Sequence, residues 1–259
     1  MSPMSPRLLR PKASGDPDAQ RYIAAVQAAD QQSLEPAVRK AISNFVIGCK
    51  QDGTWNAMKA SCILAGARTL AGALVPLKGP APTNNGPFVT GDYNRETGLA
   101  GNGSNKFLDT GRASNAQGQN DIHICLYAST LNTGIQYYFG DSIVGASLTH
   151  IFSQSGELNF KNRDNTGSGI VYSRHAIGFL GMNRAASSAY VVRGNAGETT
   201  ITVASVTPPA DSFVFYRGSS SSGFVASGRY AFYSVGESLS LANLDARVSA
   251  LITEIGAAI

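Results

Sequence analysis

His123 and Cys125 stand two residues apart in the apolar run Ile122 to Ala128, so on a strand both side chains would share one face and present an imidazole and a thiol together. A metal site would need a second such pair, and the sequence has none, so buried small side chains are the preferred reading. Glycoside hydrolysis on a sandwich would need two carboxylates close enough to share acid and nucleophile roles. Asp92, Glu96, Asp109, Asp121, Asp141, Glu157, Asp164, Glu198 and Asp211 instead stand singly, mostly in turn contexts. There is no Gly-x-Ser-x-Gly elbow, no His-Glu-x-x-His and no phosphate loop. Gly101-Asn102-Gly103 lacks a third glycine and precedes a strand.

Two weaker constellations remain. Asn162, Asp164 and Asn165, or Asp92 with Asn94, offer the hard oxygens that calcium prefers, although such residues also build ordinary loops. Tyrosines 127, 137, 138, 172, 190 and 216 could supply an aromatic platform for a sugar ring, but strands favour aromatics in any case. Catalytic, cofactor-binding and metal residues are therefore each assigned as none, with no cofactor expected and no enzymatic activity.

Composition narrows the partners. Charged residues make up 15% of the 259 positions against a usual ~25%, and 28 glycines imply many turns. Such a surface, made polar by Ser, Thr and Asn, suits tight assembly. The net charge of +4 is spread from Arg7 to Arg247 without a dense run, which argues against nucleic acid. No apolar run reaches the ~18 residues of a membrane span, and Leu8-Leu9 is too short a core for a signal peptide. Three sparse cysteines, Cys49, Cys62 and Cys125, fit reduced thiols and a cytoplasmic site of synthesis. Asn102-Gly103-Ser104 matches a glycosylation acceptor that such a chain would not use.

The elements follow from periodicity. Residues 1–17, with prolines at 3, 6, 11 and 17, form an extended arm. Residues 18–78 form a helical attachment region. Its first helix spans Asp18 to Gln32 after an Asp16-Pro17 cap, and its second carries the stripe Leu34, Val38, Ala41, Ile42, Phe45, Val46 and Cys49 behind Ser33 as cap. A third helix, capped by Thr54, turns Trp55, Met58 and Cys62 inward, so that helices two and three make a hairpin and these side chains serve as core. Residues 79–87 are a Pro/Gly/Asn linker.

Residues 88–236 then read as a β-sandwich of short strands: 106–108, 122–128, 135–139, 148–153, 158–161, 169–172, 177–182, 189–193, 199–204, 212–217 and 230–235. Residues 237–259 form a closing helix whose Leu241, Leu244, Val248, Leu251 and Ile255 share one face. That stripe is too short for a free coiled coil. It requires a ready surface, either the sandwich or the preceding helices.

The segment Phe45 to Ala60 resembles the helical hairpin that precedes the sandwich in many bacteriophage structural proteins. Thr90 to Leu99 with Gly101 to Gly111 is similar to the entry into a concanavalin A-like (laminin-G-like) sandwich, and Arg229 to Ile255 resembles its last strand and closing helix in phage tail and fibre proteins. The resemblance covers most of residues 35–255. It implies a mainly β protein: a concanavalin A-like jelly-roll sandwich preceded by an α-helical hairpin and closed by a C-terminal helix. It further implies a virion localisation after assembly in the host cytoplasm.

The expected function is a non-enzymatic structural subunit of a phage particle, as a tail, fibre or head-surface appendage. It would act as a homo-oligomer that meets other virion proteins through the arm and helices. The alternative is a glycan-binding module for host surface polysaccharide, with a polysaccharide depolymerase as a third reading. Subunit contacts are expected at the closing helix and along the arm.

Overall fold

The computed structural model describes residues 15–132, 134–141, 148–154, 156–166, 170–174, 177–195, 197–219 and 223–259. The predicted arm lies outside these residues up to Ser14, and so does the start of the strand predicted at 169. Two helices open the described chain, α1 (Pro17–Asp30) and α2 (Pro36–Gln51). Asp16 caps α1 as expected, accepting from the N–H groups of Asp18 and Ala19. The N-cap of α2 is Glu35 rather than Ser33 and carries no side-chain cap bond; Pro36 occupies the first turn, where its missing N–H costs nothing.

The third predicted helix is absent. Residues 54–57 turn, and Met58–Ile63 is a strand, β1. A helical pattern over eight residues is a weak signal, and here tertiary pairing overrides it. The strand β15 (Arg229–Gly236) is buried along most of its length, and β1 satisfies the edge that its second half would otherwise leave bare, with Cys62 opposite Tyr233 and Ala60 opposite Val235. The approach is close: a Cβ on Gly236 would lie 1.9 Å from the Ala57 carbonyl oxygen, so only glycine fits. The region 18–78 thus gives the sandwich a strand as well as helices, and the helical pair is α1 with α2.

After β1 come a short helix, α3 (Leu70–Ala73), and the strands β2 (Thr83–Asn85), β3 (Tyr93–Asn94), β4 (Gly98–Ala100), β5 (Phe107–Ala113), β6 (Ile122–Thr130) and β7 (Gln136–Gly140). They are followed by β8 (Leu148–Gln154), β9 (Glu157–Asp164), β10 (Ile170–Arg174), β11 (Gly178–Arg184), β12 (Ala189–Gly194), β13 (Gly197–Thr202) and β14 (Ser212–Phe215). The chain closes with β15 and α4 (Leu241–Ala258). Every strand predicted from Lys106 onward corresponds to one of these.

The strands form two antiparallel sheets. The first runs β13-β12-β11-β6-β15-β4-β3, with β1 beside β15; the second runs β10-β9-β8-β7-β14-β5-β2. This is the concanavalin A-like jelly-roll sandwich, mainly β, preceded by a helical pair and closed by a C-terminal helix.

Three layers result. Between the sheets lie Leu108, Ile124, Leu126, Phe139, Phe160, Phe213, Phe215 and Tyr233. On the other face of the first sheet, Cys125, Phe179 and Phe232 pack against Val38, Phe45 and Val46 of α2 and against Leu241, Leu244, Val248, Leu251 and Ile255 of α4. The closing helix therefore rests on both surfaces that its stripe could use, the sandwich and α2. Each of its large apolar side chains contributes about 1.5–3 kcal/mol by leaving water.

His123 and Cys125 do share a face, the one toward the helices, and both ring nitrogens of His123 are hydrogen-bonded within the chain. The Glu237 carbonyl can only accept, so His123 Nδ1–H donates to it at 2.5 Å and Nε2 accepts from the Ser234 hydroxyl at 2.9 Å. Burial holds this imidazole neutral, with its pKa lowered to about 4. The unfolded chain protonates it first, so the stability present above pH 6.5 is lost as pH falls toward 4, by about 3 kcal/mol. Urea unfolding at pH 7 and pH 4.5 checks this. A midpoint that does not move would contradict the assignment.

Candidate functional site

The outer face of the second sheet, away from the first, gathers the residues best placed to meet a ligand. Strand register aligns them in two rows. Tyr137 of β7 stands opposite Phe152 of β8, which stands opposite Asn159 of β9. In the second row Asp109, Val214, Gly140, His150 and Lys161 follow one another across β5, β14, β7, β8 and β9. Gly140 is required there, because a Cβ would come within 2.3 Å of the His150 ring.

The rings make one cluster. Tyr137 stacks on Phe152 at 5.1 Å, meets His150 edge-on at 4.9 Å and lies 5.9 Å from Phe224. Phe152, His150, Asn159 and Lys161 are buried, whereas Tyr137 is half-buried and Phe224 is 46% exposed. Access is therefore from the Tyr137 and Phe224 side. At the start of β7, next to Tyr137 in the chain, Gln136 donates to Ser227 Oγ at 2.8 Å and accepts from its N–H, and Asn132 donates to the same oxygen.

The ring cluster can stack a flat apolar face, which is one thing a sugar ring offers. Asp109 and His150 lie three strand spacings apart, about 14 Å at ~4.8 Å per strand.

The structure separates the six tyrosines. Tyr138, Tyr190 and Tyr216 are buried between the sheets, and Tyr127 packs toward the helices. The side chain of Tyr172 lies outside the described residues. Tyr137 alone of the other five faces outward on the second sheet, because a register shift between Tyr137 and Phe139 turns both Tyr138 and Phe139 inward.

Neither calcium constellation is assembled as one. Asp92 pairs with Lys106 and accepts from the Val89 N–H, and Asn94 is spent on the N–H groups of Glu96 and Thr97 and the Thr97 hydroxyl. Asn162 and Asp164 are buried at one end of the sandwich among groups of mixed character. The Asn162 amide nitrogen and Arg163 Nε would donate there, while Asn162 Oδ1 and Asp164 Oδ2 would accept. That mixture suits ordered water rather than a cation. Among the described residues no group of three or more His, Cys, Asp or Glu could hold a metal, and no helix is long and apolar enough to cross a membrane.

Sequence reasoning passed over the two arginines that organise this end. Arg184 donates through Nε and Nη2 to the Asn162 carbonyl at 2.9 and 2.7 Å, and through Nη1 to the carbonyls of Ala186, Ser187, Ala189 and Val203. Its guanidinium lies 5.0 Å over the Tyr190 ring. Arg163 serves the carbonyls of Ser114, Gln117 and Gly118, and burial draws its pKa down to about 10. Both bind carbonyls of their own chain.

No protein-family model matches this chain, and no curated protein matches it. Among solved structures it is similar to Trypanosoma rangeli sialidase in complex with 2,3-difluorosialic acid, with a TM-score of 0.51 at 10% identity over 92% of this chain and 39% of that one. It is also similar to the botulinum neurotoxin serotype D binding domain, with a TM-score of 0.50 at 11% identity over 75% of this chain and 50% of that one. Identities this low describe a shared fold. The chain spans half or less of the length of either protein.

Proposed function

We propose that this chain is a non-enzymatic glycan-binding module whose ligand surface is the outer face of the second sheet around Tyr137 and Phe224. The observation that carries the reading is the ring cluster itself, an aromatic edge in which Tyr137 is half-buried and Phe224 exposed. On a glycan array the labelled protein gives saturable binding to a subset of polysaccharide fragments. Tyr137→Ala weakens that binding about tenfold or more, the loss of a stacking contact and its buried area. Ile47→Ala, on the exposed side of α2, leaves it unchanged. Absence of binding, or equal binding by the Tyr137 variant, would sink the reading. Release of shortened glycan during incubation would replace it with a depolymerase.

We further propose that the module works as a structural subunit of a phage particle, a tail, fibre or head-surface appendage assembled in the host cytoplasm. This rests on the sequence resemblance, and one geometric observation favours it. The helices cover the first sheet while the ring cluster lies on the far face of the second, so attachment to other virion proteins through the helices and the arm would leave Tyr137 facing the host. Mass spectrometry of purified particles tests it: the chain should be found in them at stoichiometric level.

A further inference from the structure

We infer that β13 is the strand through which a second copy of this chain joins, extending the first sheet across a two-fold axis. The inference is independent of the glycan reading. Five strands end the two sheets among the described residues: β3, β2, β10, β13 and β1, whose free side is covered by residues 77–78, with the Ser61 N–H on the Lys78 carbonyl and the Leu77 N–H on the Ser61 carbonyl. Proteins protect such edges by shortness, irregularity, charge or proline. β3 has two residues and β2 three, and the pairing of β10 with β9 shifts register between Val171 and Arg174. β13 is neither short nor irregular, and its one charge, Glu198, is the sole protection it carries. It runs six residues as Gly-Glu-Thr-Thr-Ile-Thr, pairs with β12 in unbroken register from Gly194↔Gly197 to Ala189↔Thr202, and holds no lysine, arginine or proline. Glu198, Thr199, Thr200 and Thr202 are exposed, and β-branched residues suit an added strand.

The register indicates how a partner would fit. Gly194 and Gly197 close a two-residue connection as a hydrogen-bonded pair, so the alternation of an antiparallel ladder aims the N–H and C=O of Glu198, Thr200 and Thr202 away from β12. A two-fold axis through Thr200 sets Thr200 opposite its own copy and Glu198 opposite Thr202. This register avoids the like-charge contact that centring on Glu198 would create. Glu198 keeps its ion pair with Arg193 at 3.5 Å, and Arg193 also holds Asp245 of α4 at 2.8 Å, so the edge charge is tied back to its own copy. A notch of about 150 Å³ beside the strand, formed by Ala185, Ala186, Ala189, Val191 and Thr200, gives the arriving copy apolar surface to cover. A self-complementary strand whose one charge is paired within its own copy fits an identical partner through an isologous contact.

The test is the mass of the full-length chain in sedimentation and light scattering, compared with two variants. The parent should have twice the chain mass. Thr200→Pro removes an N–H that β12 does not use, so it should yield a folded monomer with unchanged circular dichroism. Thr200→Cys should form a covalent dimer under mild oxidation, since cysteines 49, 62 and 125 are all buried. A parent that is monomeric at every concentration would overturn the inference. So would a folded Thr200→Pro variant that keeps the parent's oligomeric mass, or a Thr200→Cys variant that fails to cross-link.

Discussion

Arg184→Lys should destabilise the folded chain by about 4 kcal/mol, read as a lower urea midpoint with an unchanged slope. The native guanidinium joins β9 of one sheet to the 186–189 turn and to Val203, five carbonyls in all, from a side chain with no solvent exposure. An ammonium has three donors on one atom and cannot span that fork. At least two carbonyls would be stranded, at about 1–3 kcal/mol each. A loss below 1 kcal/mol would mean that this end of the sandwich does not depend on the arginine.

Phe232→Ala should cost a similar amount, about 3–5 kcal/mol, by opening a cavity where the helices meet the first sheet. Its ring lies edge-on to Phe45 of α2 at 5.7 Å, and Phe232 is fully buried in the cluster that includes α4. The helices and sandwich share that cluster, so the variant should still unfold in one transition at lower denaturant. If helical content melted separately while the sheet transition stayed in place, the three layers would not form one cooperative unit.

The contrast between these two positions shows what the sequence made legible. Phe232 sits in an apolar run next to a turn, and the stripes of α2 and α4 predicted the surfaces it joins. An arginine at a strand end carries no sequence mark of Arg184's role, which joins the nearby carbonyls of residues 186–189 to those of Asn162 and Val203, about twenty residues away. Apart from β1, strands of four to nine residues are legible from composition, whereas β2, β3 and β4, at two or three residues, carry no periodicity to read. Met58 to Ile63 was misread because methionine, alanine and cysteine serve helix and strand alike, and only the waiting edge of β15 decided between them.

The ring cluster was half legible. Tyr137 was among the candidate tyrosines, but simple alternation would have put Tyr137 and Phe139 on one face. The register shift between them reversed that and left Tyr137 with Phe152, His150 and Phe224, which come from elsewhere in the chain.

Backbone amide mapping by NMR, with the glycan that the array selects, addresses the central claim most directly. Titration should shift resonances of Gln136 to Gly140, Leu148 to Gln154 and Phe224 to Ser227, while those around Trp55, in the groove between α1 and residues 75–78, stay fixed. Shifts confined to the Trp55 groove or to the helices, with the Tyr137 strand silent, would contradict the placement of the ligand surface on the second sheet.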